Sequence, residues 1–167
     1  MTDNQIAYTN EGKRIMKFAR AMEIAREAHK GQVDQGGNPY IDHICYVFHE
    51  VRSGFKPCLI RIAVLHDVVE DSEWTLDMLR QEGLDEESIY TLDCLTRRKN
   101  EDYKYYIERI LSDESACYVK LIDLKDNMNL TRIKRPLVKN DFKRIQKYHN
   151  YYWVIKNHID SQEKRKN

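Results

Sequence analysis

Apolar residues recur at three- and four-residue spacing along most of this chain, and no stretch alternates with period two for long enough to insist on a sheet. The pattern predicts helices over 10–30, 40–51, 59–71, 75–82, 85–95, 101–111, 116–130 and 141–159. Thr9 or Asn10 caps the first of these and Thr75 the fourth. In the first helix Ile15, Phe18, Ala19, Met22, Ala25 and Ala28 share a face. Between the helices, Gly31, Gly36, Gly37 and Pro39 form a loop, Gly54 and Pro57 break the chain before residue 59, and Gly83 stops a helix. With no internal repeat, the expectation is an all-α protein, a helical bundle or orthogonal array. It forms one domain over 1–167, with its core at about 10–160 and a frayed basic tail at 161–167.

The segment 59–71, LIRIAVLHDVVED, departs from amphipathic patterning. Leu59, Ile60, Ile62, Ala63, Val64, Leu65, Val68 and Val69 surround the whole helix, so it is expected to be buried. The same segment carries His66, Asp67, Glu70 and Asp71, which continuous helical spacing gathers into one strip. Three carboxylates beside a histidine repel one another, and an unpaired buried charge costs several kcal/mol, roughly. A cation against the strip removes the conflict. The adjacent His66 and Asp67 suit a divalent transition metal, with Glu70 and Asp71 one turn on. The structural alternative pairs these carboxylates with Arg61 and lysines elsewhere, and leaves His66 a hydrogen-bonded core histidine.

Composition narrows the partners. The 28 Lys and Arg against 27 Asp and Glu leave a net charge of +1, so no global attraction to nucleic acid or a membrane surface is expected. No apolar run reaches the length of a bilayer, and the polar first residues do not resemble a secretory signal, which together imply a cytoplasmic protein. Cys45, Cys58, Cys94 and Cys117 include no CxxC pair and are expected to be structural thiols, neither bridged nor metal-binding.

Other candidate groups lie outside the central segment. His43 stands among the apolar residues of 40–51, where a satisfied core histidine is the ordinary outcome. Asp123, embedded in VKLIDLKDN, either pairs with Lys120 or Arg132 or completes a metal site on the central helix, and Asn127 lies one turn beyond it. Lys30, beside the glycine loop, and the cluster Arg97, Arg98 and Lys99 are candidate phosphate contacts or plain solvated charges.

The order His43, His66-Asp67, Asp123 resembles the HD superfamily of metal-dependent phosphohydrolases. The segments AHKGQ-VDQGGNPYIDH, VLHDVVEDS and VKLIDLKDN narrow the resemblance to the hydrolase domain of RelA/SpoT-type enzymes, including the small alarmone hydrolases, from about residue 19 to 130. The two letters HD are a weak signal; HDxxED with an upstream GxPYxxH and a downstream VKLxDxxxN is specific. The resemblance implies a single HD-type helical domain, with no room for a synthetase or regulatory domain. It implies His43, His66, Asp67 and Asp123 as ligands, typically of Mn²⁺, Glu70 and Asp71 as the water-activating pair, and Asn127 as a substrate or orienting group. The implied reaction removes the 3′-pyrophosphate of guanosine tetra- or pentaphosphate. Asp34 stands where the family usually has an arginine, so repulsion of a phosphate-rich substrate is expected there. The third motif carries Asp126 and Asn129 where basic groups are familiar.

Other expected functions are hydrolysis of an adenine alarmone, of NADPH 2′-phosphate or of a nucleoside monophosphate, and a metal-containing module that binds a nucleotide without turnover. Intact Glu70 and Asp71 favour catalysis over mere binding.

Overall fold

The computed structural model describes residues 6–8, 14–52 and 57–166. Its elements are a short antiparallel hairpin, β1 (Ile6–Tyr8) and β2 (Arg14–Met16), followed by α1 (Phe18–Ala28), α2 (Ile41–Arg52), α3 (Pro57–Leu65), α4 (Val68–Asp71), α5 (Leu76–Gln81), α6 (Glu86–Leu95), α7 (Tyr103–Ile110), α8 (Glu114–Asn127) and α9 (Lys139–Lys166). The expected caps Thr9 and Asn10 and the expected breaker Gly54 lie outside the described residues, as does the side chain of Cys58.

Apart from the hairpin the regular elements are helical, as the periodicity requires, and four of the helix starts are chemically specified. Thr75, Asp85, Asp102 and Asp113 each accept a backbone amide from the first turn of the helix that follows, satisfying donors that have no partner inside the helix. Gly83 adopts a φ of 92°, and its loop returns a carbonyl to the hairpin: the Met16 amide donates to Gly83 O at 2.8 Å. That contact helps explain why residues 14–16 are strand and not the first turn of a helix. The side chain of Met16 is fully buried, and a long-range hydrogen bond outweighs the weak local preference of three residues.

α3 is the axis of the molecule and packs against α1, α2, α6 and α8. Leu59, Ile62, Ala63, Val64 and Leu65 are all buried, in keeping with an apolar sequence around the full helix. The helix does not run on to Asp71. His66 and Asp67 form a turn, and α4 starts at Val68. The His66 ring explains the interruption in part: its Nδ1 donates to Ala63 O at 2.9 Å, the acceptor toward which a continuous helix directs the Asp67 amide.

At the other end, α9 continues through Lys166 in place of the expected frayed tail. Contacts to neighbouring elements hold it there, with Tyr118 donating to Glu163 at 3.0 Å and Lys166 pairing with Glu114 at 2.9 Å. Cys45, Cys94 and Cys117 are free thiols. Among the described residues no helix is long and apolar enough to cross a membrane.

The glycine loop between α1 and α2 is pinned to the segment after α8. Gly31 and Gly37 have φ near 78° and 79°, while Gly36 is required by close approach: a Cβ there would lie 1.9 Å from the Arg132 carbonyl oxygen. Gly36→Ala is therefore expected to destabilise the chain by ~1–3 kcal/mol, because backbone and not a flexible side chain must move. Equilibrium urea unfolding of the two proteins checks this, and equal midpoints would show that the loop accommodates the methyl.

Candidate metal centre

α2, the turn between α3 and α4, and α8 converge on one point. His43, His66, Asp67 and Asp123 each bring one donor atom there, all within 4.8 Å of one another, the only such group among the described residues. His43 Nε2 lies 3.1 Å from Asp123 Oδ1 and 3.7 Å from Asp67 Oδ2; His66 Nε2 lies 3.0 Å from Asp67 Oδ2. These approaches are close but not aligned as hydrogen bonds, so both Nε2 atoms are buried without a hydrogen-bond partner.

The opposite ring nitrogens explain the orientation. His66 Nδ1 donates to Ala63 O and His43 Nδ1 donates to Asp126 Oδ2 at 2.7 Å, which leaves each Nε2 as the electron-pair donor facing the carboxylates. Two imidazole lone pairs and two carboxylate oxygens thus point at a common centre. The centre attracts positive charge: burial opposes ionisation of His66, but Asp67 and Asp123 outweigh it and push its pKa up to about 10. Burial also works against the Asp123 carboxylate, yet Lys120 and the two histidines hold it well below its usual range. Two buried imidazole nitrogens without hydrogen-bond partners, converging with two carboxylate oxygens, fit a divalent transition metal.

Each ligand candidate is braced. Tyr40 donates to Asp67 Oδ2 at 2.6 Å, Asn127 donates to Asp123 through its side-chain amide, and Lys120 Nζ pairs with Asp123 Oδ2 at 2.6 Å. The structural pairing open to Asp123 is thus with Lys120, while Arg132 pairs with Asp126.

Beside the centre is a polar cavity of about 160 Å³, lined by the acids Asp67, Glu70, Asp71 and Asp123, by Arg97, Lys120 and Lys147, and by Tyr103, Tyr106 and Tyr148. Glu70 Oε2 accepts the Arg97 amide at 3.0 Å. The protein packed around Glu70, together with Asp67 and Asp71, raises its pKa despite that hydrogen bond. Asp71 Oδ2 accepts from Gln32 Nε2 at 2.9 Å, and Gln32 Oε1 in turn accepts from His29 Nδ1 at 2.7 Å. Lys147 lies over the Tyr103 and Tyr148 rings at 4.4 and 4.9 Å, and its pKa is lowered by burial and by Arg97, Lys120 and Arg144.

Of the cations expected to contact phosphate, Arg97 lines this cavity, with its guanidinium over Tyr103 and hydrogen-bonded to Glu101 O at 2.7 Å. Arg98 and Lys99 are exposed and do not line it. Arg98 is taken up by Asp93 and by the Asp93 and Thr96 carbonyls, so helix-end electrostatics fixes its place. Lys30 is also exposed and borders a separate depression with Arg26 and His29. Asp34 differs from expectation as well. It is half-buried in its own loop, accepts the Gly36 and Asn38 amides and pairs with Arg132 at 2.7 Å, so its charge is already partnered.

Asp126, Arg132, Lys147 and the tyrosine wall were not among the residues expected from sequence. Asp126 had a signal, since it stands three residues from Asp123 on α8 and shares its face. Lys147 and Tyr148 had none, because only the packing of α9 on α8 brings them to the cavity.

No family model matches the chain. Among curated proteins it is 29% identical over 135 residues to the bifunctional (p)ppGpp synthase/hydrolase SpoT of Escherichia coli, covering 73% of this chain and 19% of that protein. It is 29% identical over 126 residues to the guanosine-3′,5′-bis(diphosphate) 3′-pyrophosphohydrolase of Haemophilus influenzae, covering 68% and 18%. With the GTP pyrophosphokinase of Streptomyces coelicolor it shares 27% identity over 134 residues, covering 73% and 16%. The chain thus spans about a fifth of the length of the curated relatives it matches. Among solved structures, one described as a metazoan ortholog of SpoT that hydrolyzes ppGpp superposes with a TM-score of 0.69 at 18% identity, covering 84% of each chain. Sequence over about three quarters of the chain and fold over most of it agree: this chain is all-α apart from one short hairpin, has the fold of that solved structure, and is similar in sequence to part of the SpoT-type proteins.

Proposed function

We propose that this chain is a divalent-metal-dependent phosphohydrolase that removes the 3′-pyrophosphate of a guanosine tetra- or pentaphosphate, with Mn²⁺ as the metal. The observation that carries this reading is the pair of buried, unpartnered Nε2 atoms converging with Asp67 and Asp123 beside a cavity lined by both carboxylates and cations. The relatives, a (p)ppGpp synthase/hydrolase and a guanosine-3′,5′-bis(diphosphate) 3′-pyrophosphohydrolase, support the substrate. His43, His66, Asp67 and Asp123 are the proposed ligands; when bound, Mn²⁺ supplies Lewis-acid polarisation of a phosphoryl oxygen and acidifies water.

The protein groups divide the remaining work. Glu70, with its raised pKa, accepts the proton of the attacking water, and Asp71, fixed by Gln32, orients that water. Water adds to the phosphorus joined to the 3′ oxygen and gives a proton to Glu70; the P–O3′ bond breaks, the 3′ oxygen leaves as a hydroxyl with a proton from Glu70 or solvent, and pyrophosphate carrying the water oxygen is released. Arg97 and Lys147 line the same cavity and neutralise phosphate oxygens, while Lys120 stays paired with Asp123. Asn127 orients Asp123. The domain extends over 1–167 as one unit in this proposal, and its partner is a small nucleotide.

Incubating the purified protein with Mn²⁺ and a panel of nucleotides, and following phosphate and pyrophosphate separately, tests the reaction. Pyrophosphate release from the guanosine tetraphosphate is expected. Release of phosphate alone, or activity only on an adenine alarmone, NADPH or a nucleoside monophosphate, would reassign the substrate, which matters because Asp34 replaces the arginine familiar at that position. Binding without turnover would make the chain a nucleotide-binding module.

A second test addresses the cationic wall. Lys147→Ala is expected to raise KM for a multiply phosphorylated nucleotide about tenfold, from the loss of ~1.5 kcal/mol of charge-assisted contact, with little change in kcat. Arg98→Ala, with its guanidinium spent on Asp93, leaves KM unchanged. Equal effects of the two substitutions would show that the phosphates bind elsewhere.

A further inference from the structure

Asp126 and Arg132 have no part in the chemistry described above, yet their connection to His43 is direct. The Asp126 carboxyl, 2% exposed, accepts His43 Nδ1–H at 2.7 Å through Oδ2, and the same carboxyl pairs with Arg132 Nη1. Arg132 continues to Asp34 through Nε and Nη2, at 3.0 and 2.7 Å. Asp34 in turn organises the glycine loop through the Gly36 and Asn38 amides. The result is an unbroken path from the loop before α2, through the segment after α8, to a buried imidazole on α2.

We propose that Asp126, clamped by Arg132, is the positioning residue that fixes the His43 tautomer and aims its Nε2 at the metal position. This inference rests on the metal reading given above. An imidazole can offer either nitrogen, and the hydrogen bond made by one decides the role of the other. His66 uses a backbone carbonyl for this purpose, whereas His43 uses a charged carboxylate, which makes its Nε2 the more basic donor. Arg132 limits the freedom of that carboxylate and compensates its burial. Asp34 therefore serves the metal centre from a distance.

Binding of Mn²⁺ and Zn²⁺ to the full chain, measured by titration calorimetry, tests the relay without any turnover assay. Asp126→Ala is expected to weaken metal binding ~10–100-fold. Asp126→Asn keeps an acceptor but loses the charge, and a several-fold loss is expected. In the Zn²⁺-loaded protein, which is diamagnetic, the His43 Nδ1 proton is expected as a downfield, exchange-protected signal; it moves upfield in Asp126→Asn and is lost to exchange in Asp126→Ala. A merely structural role for Asp126 would alter unfolding without moving this signal. Unchanged affinity and an unchanged signal in Asp126→Asn overturn the inference even if Asp126→Ala fails to fold. His66→Ala serves as the reference: if it loses the metal while Asp126→Ala binds normally, the relay is wrong and the metal reading stands. If the unsubstituted chain binds neither ion, both are wrong.

Discussion

Glu70→Gln is expected to lower turnover by a factor of ~10² or more while leaving bound metal unchanged. The glutamate lies outside the four-residue donor group and is held by the Arg97 amide, a bond that glutamine retains through its carbonyl oxygen. The substitution therefore removes the proton acceptor with little change in shape. The pH–rate profile supplies an independent sign. Burial and the neighbouring carboxylates raise the Glu70 pKa, so the base is lost to protonation as pH falls through a value above the usual glutamate range. The acidic limb of the rate profile should lie there in the unsubstituted protein and disappear in Glu70→Gln. Metal content, measured by elemental analysis, must be equal in the two proteins. If it falls in proportion to rate, Glu70 is a ligand and the assignment of roles fails. Asp71→Asn is expected to behave similarly, since Gln32 can still hold the remaining oxygen.

His66→Ala is expected to abolish metal binding and activity together. The ring is 2% exposed, its Nδ1 is committed to Ala63 O, and its Nε2 has no hydrogen-bond partner, so its only unfilled capacity faces the centre. Removing it leaves three donors and the two carboxylates facing each other across an uncompensated gap. Asp67→Asn is expected to have the same effect, because it withdraws a full negative charge while Tyr40 still finds an acceptor. Retention of stoichiometric metal by either variant, measured at micromolar free ion, would refute the proposed site.

Much of the centre was legible before any coordinates. An apolar segment that surrounds a whole helix and yet carries His66, Asp67, Glu70 and Asp71 is electrostatically unstable without a cation, and this follows from residue types and spacing alone. Asp123 was legible for the same reason, as a carboxylate embedded in an apolar run. The cap residue Thr75 likewise sits where its side chain can accept a helix amide. His43 was visible only through its resemblance to a family, because a single histidine on an apolar face has no local signature.

Tertiary structure decided what depends on direction and on distant contacts. Helical spacing placed His66 and Asp67 on one continuous helix, but a side chain that bonds the Ala63 carbonyl turns the backbone there and separates α3 from α4. Residues 14–16 became a strand because they pair with 6–8 and the Met16 amide meets Gly83, 67 positions along the chain by their numbers. The charge of Asp34 suggested repulsion of a substrate, and its neighbours Arg132, Gly36 and Asn38 convert it into a loop anchor. A charge in sequence has a sign but no partner, so Arg98 and Lys147 look alike until packing spends one on Asp93 and lays the other over the tyrosines beside the cavity. Local spacing thus determined the helices and the demand for a cation, while long-range contacts, which periodicity cannot encode, decided which charges remain free to meet a substrate.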